Sequence, residues 1–281
     1  MTPSSYNHRA PHFEPADLVA EALANERCFQ GGTPRWDRAP TVQIAADQAA
    51  AEIKRLRRHP FCDDFHGAIE LADRMSDCAR GFKCGVCARC SRAIQRAVVM
   101  DERALVDGTA PGLEICKITV IFPDGRVPLA NLEAATFAPL ADEFMAAVSA
   151  DKDIAWVQAA FDVSFNDDTA KDLDAAFQIH LHGTCAIKNH EAVSYRLSKW
   201  FPTSDYIYRP VVIEPCDGSN YTLSYSYKTK FYRRVAFWAT KRVRPCWKTS
   251  HRRLLARQHV ELMLALADLG PAARLICHRI A

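Results

Sequence analysis

The chain has 281 residues, of which 49% are hydrophobic and 25% charged, and its formal net charge is +3. These values are typical of a globular protein, and the length allows one large domain or two small ones with a real core. The first ten residues are polar and no apolar run approaches the length of a membrane span, so we expect a cytoplasmic protein without a signal peptide or membrane contact. In that reducing compartment, the 11 cysteines are expected to be thiols or metal ligands.

The first part of the chain is predicted to be helical behind a flexible arm. Residues 1–40 are rich in Pro, Ser, Asn and Arg and predict a loose arm, within which Glu14 to Leu23 could form one helix. The Ala-rich stretch from Thr41 to Arg58 predicts a helix that Pro60 ends. We therefore expect residues 41–110 to form a helical, cysteine-rich segment.

A cluster of cysteines in this segment predicts a structural zinc site. Cys84, Cys87 and Cys90 are separated by two residues each, and a basic helical stretch over residues 91–100 follows them. Thiolates at these spacings can surround a tetrahedral Zn²⁺, and Gly85 favours the turn between them. The alternative is a set of buried thiols without a metal. The spacing leaves the fourth ligand open among Cys78, Cys62, His59 and His66.

From Glu114 onwards, predicted strands and helices mix without regular alternation. Residues 115–122 are apolar and β-branched and predict a strand, which the Pro-Asp-Gly turn at 123–125 should close. This mixture favours an α+β fold with an antiparallel sheet backed by helices. The other predicted strands span residues 154–165, 177–187 and 208–214, and the predicted helices span 129–150, 194–201, 221–230 and 254–269.

The third predicted strand carries two histidines that can share one metal. His180 and His182 point to the same side of a strand, while Ile179 and Leu181 point to the other. One face can therefore hold a metal ion while the opposite face packs on a core. The alternative is a hydrogen-bonded histidine pair with a purely structural role.

A long basic stretch follows the predicted sheet. No Asp or Glu occurs between Asp217 and Glu261, and aromatic residues are interleaved with the lysines and arginines. Positive charge with interleaved aromatics suits phosphate contact combined with base stacking, so we predict a nucleic-acid surface. The alternative is a solvated basic face. The residues predicted to bind DNA are Lys230, Arg233, Arg234, Lys241 and Arg242.

The predicted helix over residues 221–230 brings a tyrosine and a lysine together. Tyr225 and Lys228 are three residues apart and would lie side by side on a helix. Tyr221 shares their face, whereas Tyr227 points elsewhere and is predicted to pack in the core. Tyr225 could also be an aromatic core residue.

In this order and spacing, the motifs resemble those of the HUH-type replication initiators of rolling-circle plasmids and phages. The resemblance spans roughly residues 78–235. Its motifs are Cys-Gly-Val-Cys-Ala-Arg-Cys at 84–90, Lys-Ile-Thr-Val-Ile-Phe-Pro at 117–123, Phe-Asp-Val-Ser-Phe-Asn at 161–166, Ile-His-Leu-His at 179–182 and Tyr-Ser-Tyr-Lys at 225–228.

The resemblance implies an HUH endonuclease-like domain over residues 111–245, which nicks and rejoins single-stranded DNA through a 5′-phosphotyrosyl intermediate. It implies that His180, His182 and the acidic side chain of Asp162 hold Mg²⁺ or Mn²⁺, although Ser164 and Asn166 share the face of Asp162. It also implies that Tyr225 is the nucleophile and that Lys228 assists it, because a free tyrosine has a pKa of about 10. Tyr221 and Tyr227 are its rivals.

The expected partners are single-stranded DNA and the host helicase and polymerase. The sequence has no GxxxxGK[ST] phosphate loop, so an initiator of this kind would depend on its host for unwinding. Residues 246–281 are predicted as a C-terminal helix. The alternative function is a nucleic-acid-binding protein that is related to the same family but does not cleave.

Overall fold

The computed structural model describes residues 14–24, 41–58, 65–80, 83–240 and 246–279. Helices and strands alternate irregularly along the chain, as expected of an α+β fold. In chain order the elements are α1 (Pro15–Ala24), α2 (Val42–Arg57), α3 (Phe65–Asp77), α4 (Ala88–Asp107), β1 (Glu114–Pro128), α5 (Phe137–Ser149), β2 (Ile154–Asp167), β3 (Ala176–Ile187), α6 (His190–Trp200), β4 (Val211–Pro215), α7 (Asn220–Leu223), β5 (Arg233–Ala239), β6 (Cys246–Arg252), α8 (Ala256–Leu269) and β7 (Leu275–Arg279).

The strands form one mixed sheet in the order β4-β1-β3-β2-β5-β6, and β7 also pairs with β2. Strands β1, β3 and β2 are long antiparallel neighbours, which places the histidine strand at the centre of the sheet. The prediction of a purely antiparallel sheet is wrong at one place, because β5 pairs in parallel with the end of β2. Both β5 and β7 use the same edge of β2, at its end and its beginning respectively.

One face of the sheet builds the main hydrophobic core. Phe161 of β2 and Ile179 and Leu181 of β3 are buried on this face against α5, α6 and α8. These apolar side chains alternate with the histidines because neighbouring residues of a strand point to opposite faces. The prediction that one side of β3 packs on a core is therefore confirmed.

Helix α4 covers only half of the opposite face. Ile94 packs against Ala160 of β2, and Leu105 packs against Trp156 and Ala186. Ala160 and Ala186 lie on the same face as the two histidines, since residues two apart on a strand point the same way. The half of this face that α4 leaves uncovered is the floor of the cleft described below.

The cysteine-rich segment packs beside the sheet as a small helical cluster. Its apolar core is shared by α2, α3, the start of α4 and one side of α8. The predicted helix from Thr41 is confirmed, and the Thr41 hydroxyl caps α2 by accepting a hydrogen bond from the backbone N–H of Ile44. The predicted arm over residues 1–40 contains α1, whose Leu18 and Val19 are buried against α4, and the rest of that arm lies outside the described residues.

Three local predictions are wrong. Strand β1 does not end at residue 122 but continues through residues 123–125, because a bulge between Ile121 and Arg126 absorbs the proline. The helix predicted over 129–150 begins only at Phe137, since the N–H groups of Ala130 and Leu132 bond to the carboxylate of Glu261 instead. The segment 246–281 contains α8, but it also contributes strands β6 and β7 to the sheet.

The predicted helix over residues 221–230 is also wrong beyond its first turn. Helix α7 ends at Leu223, and the chain then runs as an irregular loop through residues 224–232. Two carbonyl groups of this loop accept hydrogen bonds from distant side chains, Ser224 from Gln95 and Lys228 from Arg274. These contacts hold the backbone in a conformation that a helix would not allow.

Candidate functional site

The two histidines and the predicted acidic residue meet on one face of the sheet. Asp162 of β2 stands directly opposite His180 of β3 in the strand register, and His182 is the next residue on that face. The Asp162 Oδ2 atom lies 3.0 Å from His180 Nε2 and 3.5 Å from His182 Nε2. All three side chains are buried, and their ligand atoms lie within 4.8 Å of one another, a grouping that can hold a metal ion.

The other nitrogen of each imidazole fixes the orientation of the ring. His180 Nδ1 lies 3.1 Å from the carbonyl oxygen of Gln178, which only accepts hydrogen bonds, so Nδ1 carries the proton. His182 Nδ1 lies 2.9 Å from the hydroxyl of Thr119, its cross-strand neighbour on β1. With Nδ1 donating to Gln178, Nε2 is the ring nitrogen that faces Asp162, and it is the one that would ligate a metal ion shared with this carboxylate.

The charges around the site keep these groups in the forms that bind a metal. Burial lowers the pKa of His182 to about 3, so its imidazole is neutral at pH 7. Burial of the Asp162 carboxyl raises its pKa, but the Lys228 ammonium and His180 outweigh this effect and hold the pKa well below its usual range. Asp162 is therefore an anion in the folded protein.

Tyr225 and Lys228 lie against this group although they are not on a helix. The Tyr225 ring is 4.6 Å from the His182 ring between centroids, and Lys228 Nζ lies 4.3 Å from the Tyr225 ring centroid. Lys228 Nζ also lies 2.6 Å from Asp162 Oδ2. The predicted adjacency of the tyrosine and the lysine is thus present, and the loop after α7 produces it.

The two rival tyrosines occupy different environments. Tyr227 is only 1% exposed, and the guanidinium of Arg274 lies over its ring, so the prediction that it packs in the core is confirmed. Tyr221 is 53% exposed and lines a smaller pocket that Tyr225 also borders. Of the three, Tyr225 is the one whose ring contacts His182.

Several residues that hold the loop of Tyr225 were not identified from the sequence. Gln95 Nε2 of α4 donates to the Ser224 carbonyl at 2.8 Å, and Arg274 donates to the Phe161 and Lys228 carbonyls. The Ser226 hydroxyl lies 3.3 Å from that of Thr184, two residues after His182. These anchors are 40 or more positions away in the chain, and no local pattern marks them.

Asp162, His180, His182, Tyr225 and Lys228 lie at the floor of an open cleft with a volume of about 850 Å³. Among the described residues, four tyrosines and five lysine or arginine side chains line this cleft, against two carboxylates, so its walls combine flat rings with positive charge. The tyrosines are Tyr206, Tyr208, Tyr225 and Tyr232, the cations are Lys171, Arg209, Lys228, Lys230 and Arg234, and the carboxylates are those of Asp162 and Asp168.

The predicted DNA-binding residues divide into three groups. Lys230 and Arg234 line the cleft. Arg233 does not, since its guanidinium bonds to the Asp167 carboxylate at 2.5 Å and joins β5 to β2. Lys241 and Arg242 lie outside the described residues.

The cysteines predicted to bind zinc form a second candidate metal centre. Cys78, Cys84, Cys87 and Cys90 converge, and Cys78 takes the fourth place that the spacing left open. Cys90 Sγ lies 3.7 Å from Cys78 Sγ and 4.0 Å from Cys84 Sγ. Four sulfurs around Zn²⁺ with bonds of about 2.3 Å are roughly 3.8 Å apart, so the cluster has the dimensions of a zinc site.

The surroundings of the sulfurs also suit a metal thiolate. The backbone N–H groups of Cys84 and Cys87 donate to Cys78 Sγ and Cys84 Sγ at 3.1 and 3.3 Å. Hydrogen bonds among the four thiols, with Cys78 first, lower the pKa of Cys84 and raise those of Cys87 and Cys90, so the group shares its protons unevenly when no metal is bound. Gly85 has a left-handed φ of 79°, which confirms that the turn between the ligands requires glycine.

Comparisons with known proteins add no relative. No family model, no curated protein and no solved structure matches the chain. Within the described residues, no helix is both long enough and apolar enough to cross a membrane.

Proposed function

We propose that the protein is a metal-dependent endonuclease that nicks and rejoins single-stranded DNA through Tyr225, in the manner of a rolling-circle replication initiator. The observation that carries the proposal is the convergence of His180, His182 and Asp162 with Tyr225 at the floor of a basic, aromatic cleft. Each of these side chains was singled out from its motif in the sequence, and the fold brings them together from β2, β3 and the loop after α7.

The two metal sites would have different tasks. His180, His182 and Asp162 would hold Mg²⁺ or Mn²⁺, which supplies Lewis-acid polarisation of the scissile phosphate when bound. The mixed nitrogen and oxygen donors fit Mn²⁺ better than Mg²⁺, which prefers oxygen alone. The four cysteines would hold Zn²⁺ as a structural ion, because no ligand position is left for a substrate.

Tyr225 would form the covalent bond to DNA. After losing its proton, the phenol oxygen attacks phosphorus, and the bond from phosphorus to the 3′ oxygen breaks. The leaving oxygen takes up a proton and becomes the free 3′-hydroxyl of one fragment, while the other fragment becomes joined through its 5′-phosphate to Tyr225 as a phosphotyrosine ester. Attack on this ester by a 3′-hydroxyl reverses the sequence and rejoins the strand. Lys228, beside the Tyr225 ring, stabilises the negative charge that develops.

In a plasmid, phage or mobile element, the free 3′-hydroxyl would prime a host polymerase. A host helicase would open the duplex, since the chain has no nucleotide-binding phosphate loop of its own.

A second candidate function is nucleic-acid binding without cleavage, and one contact favours it. The Lys228 ammonium already neutralises the Asp162 carboxylate at 2.6 Å, as a metal ion would. In this case the basic cleft would bind a strand, and the histidines would only support the sheet.

The proposal is tested by incubating the protein with a pool of single-stranded oligonucleotides and Mn²⁺ and separating covalent adducts on a denaturing gel. Wild type and Tyr195→Phe, a matched change at an exposed tyrosine on α6, should form the adduct. Tyr225→Phe and His182→Ala should not. An adduct that survives in Tyr225→Phe would refute the assigned nucleophile, and adduct formation in EDTA, without any divalent cation, would refute the metal dependence.

A further inference from the structure

Strands β5 and β6 form a two-stranded ribbon that continues beyond the end of β2. The parallel pairing of β5 with β2 ends at Val235, whereas β5 and β6 pair with each other from Arg233 to Ala239. Residues directly opposite in an antiparallel pair point to the same face. The ribbon therefore has two distinct faces, and their side chains can be assigned from the register.

One face carries two aromatic pairs. Trp238 stands opposite Trp247, with ring centroids 5.3 Å apart, and both side chains are strongly exposed, at 51% and 42%. Closer to the sheet, the Tyr232 ring stacks on His251 at 5.4 Å with an angle of 21° between the rings. Exposed tryptophans are unusual in a folded protein unless they meet a ligand or partner.

This face is continuous with the cleft. Arg234, its cross-strand partner His251 and Thr249, the next residue of β6 on this face, all line the cleft. Lys171 also lines the cleft, and its ammonium lies 5.8 Å from the Trp247 ring centroid. The tryptophan pair is four strand residues beyond the pair Arg234 and His251, a distance of about 13 Å.

The charge of the ribbon indicates what it binds. The sequence has no carboxylate between Asp217 and Glu261, so the ribbon itself carries cations and no carboxylate, while Asp167 and Asp168 at the end of β2 pair with Arg233 and Lys171. On the cleft face the cation of the ribbon is Arg234, which stands opposite His251, whereas Arg233, Arg252 and Lys248 lie on the opposite face. A polyanion with flat rings, rather than an apolar protein surface, is complementary to cations mixed with exposed aromatics.

We propose that the cleft face of the ribbon, defined by Tyr232, Arg234, Trp238, Trp247 and His251, is a track for the single strand as it leaves the cleft. Bases would stack on the two aromatic pairs, and phosphates would contact Arg234. The inference rests on the proposed function for the identity of the strand. It adds a binding surface about 13 Å long to the site around Tyr225.

Two fluorescein-labelled oligodeoxynucleotides of mixed sequence test the track by fluorescence anisotropy, one of about 6 and one of about 20 nucleotides. In the double variant Trp238→Ala and Trp247→Ala, we expect affinity for the long probe to fall at least tenfold and affinity for the short probe to stay within about twofold. Trp238→Phe with Trp247→Phe should restore binding, because stacking needs only the ring.

Phe237→Ala is the matched control, since Phe237 is exposed on the same ribbon but on its opposite face. The track is refuted if the tryptophan double variant binds the long probe like wild type, or if Phe237→Ala weakens binding equally. Adduct formation by Tyr225 is measured on the same proteins. If the tryptophan double variant binds the long probe like wild type and adduct formation is normal, only the proposed track is refuted. If binding depends on the tryptophans but wild type forms no adduct, the nickase proposal is refuted and the track is retained.

Discussion

Lys228 contacts both Asp162 and Tyr225, and these two contacts have opposite consequences for the proposed reaction. Its ammonium lies 2.6 Å from Asp162 Oδ2, and the same ammonium lies over the Tyr225 ring. A cation entering between Asp162 and the histidines meets this positive charge at close range. The lysine should therefore weaken metal binding while it assists the tyrosine.

Replacing Lys228 by Gln separates these two effects. We expect Lys228→Gln to bind Mn²⁺ roughly tenfold more tightly, because the repelling charge is gone, and to form the DNA adduct more slowly. Calorimetric titration with Mn²⁺ measures the affinity, and the gel assay measures the rate. Lys230→Gln is the control, since Lys230 lines the cleft and has the same charge. Weaker Mn²⁺ binding by Lys228→Gln would contradict the described arrangement.

A buried histidine away from the cleft makes stability depend on pH. Burial, and then the charge of Arg55, lower the pKa of His259 to about 3, whereas an unfolded histidine has a pKa near 6.5. Between these values the unfolded chain binds a proton that the folded protein does not. The free energy of unfolding therefore falls as the pH drops from about 6.5 towards 3, by up to about 1.4 kcal/mol per pH unit.

The variant His259→Gln lacks the contribution of His259 to the pH dependence of the free energy of unfolding. We expect the loss in free energy of unfolding between pH 7 and pH 5 to be about 2 kcal/mol smaller than in wild type. Urea denaturation at the two pH values measures the difference, and the comparison cancels the other titrating groups. Equal losses in both proteins would show that His259 is not held neutral by burial.

At the scale of elements, α4 joins the cysteine cluster to the loop of Tyr225. Cys87 is the N-cap of α4 and Cys90 lies in its first turn, while Gln95 further along donates to the Ser224 carbonyl beside Tyr225. Glu102, near the end of α4, is fully buried next to Thr184, and burial raises its pKa well above the ordinary value. The helix thus spans the distance between the two candidate metal centres.

Loss of Cys87 from the proposed zinc site should therefore affect both the stability of the protein and the position of Tyr225. We expect Cys87→Ser to lose its equivalent of zinc, to melt at a clearly lower temperature and to form the adduct more slowly. Atomic emission measures zinc, and calorimetry measures the melting temperature. Cys246→Ser is the matched control, because Cys246 is exposed and lies outside the cluster. A Cys87→Ser protein with normal zinc and melting temperature would contradict the assigned centre.

The elements also show which predictions a sequence supports. Strand β3 and the grouping of Cys84, Cys87 and Cys90 follow from local spacing, and the structure shows both. The place of Asp162 beside the histidines was implied by the resemblance to HUH-type initiators, and the structure also brings these three side chains together. The prediction of a helix over residues 221–230 is wrong because Gln95 and Arg274, both distant in sequence, hydrogen-bond to the loop that follows α7. The parallel contact of β5 with β2 was missed for the same reason, since strand order is set by packing and not by a local pattern.

At the scale of the whole molecule, the two faces of the sheet differ, since one packs on the hydrophobic core and the other carries the candidate site. One face is filled by an apolar core under α5, α6 and α8, and the other face is divided between α4 and the cleft. Position along β3 therefore decides what a residue does, with Ile179 and Leu181 in the core and His180 and His182 in the site. The exposed ribbon of β5 and β6 extends the cleft side of this arrangement.

The central claim is that Tyr225 becomes covalently joined to DNA, and peptide mass spectrometry tests it most directly. Wild-type protein is allowed to react with single-stranded DNA and Mn²⁺ and is then digested with nuclease and trypsin before its peptides are measured. The account predicts a residual nucleotide joined through its 5′-phosphate to Tyr225. A nucleotide on Tyr221 or Tyr227, or nicked DNA without any modified tyrosine, would contradict it.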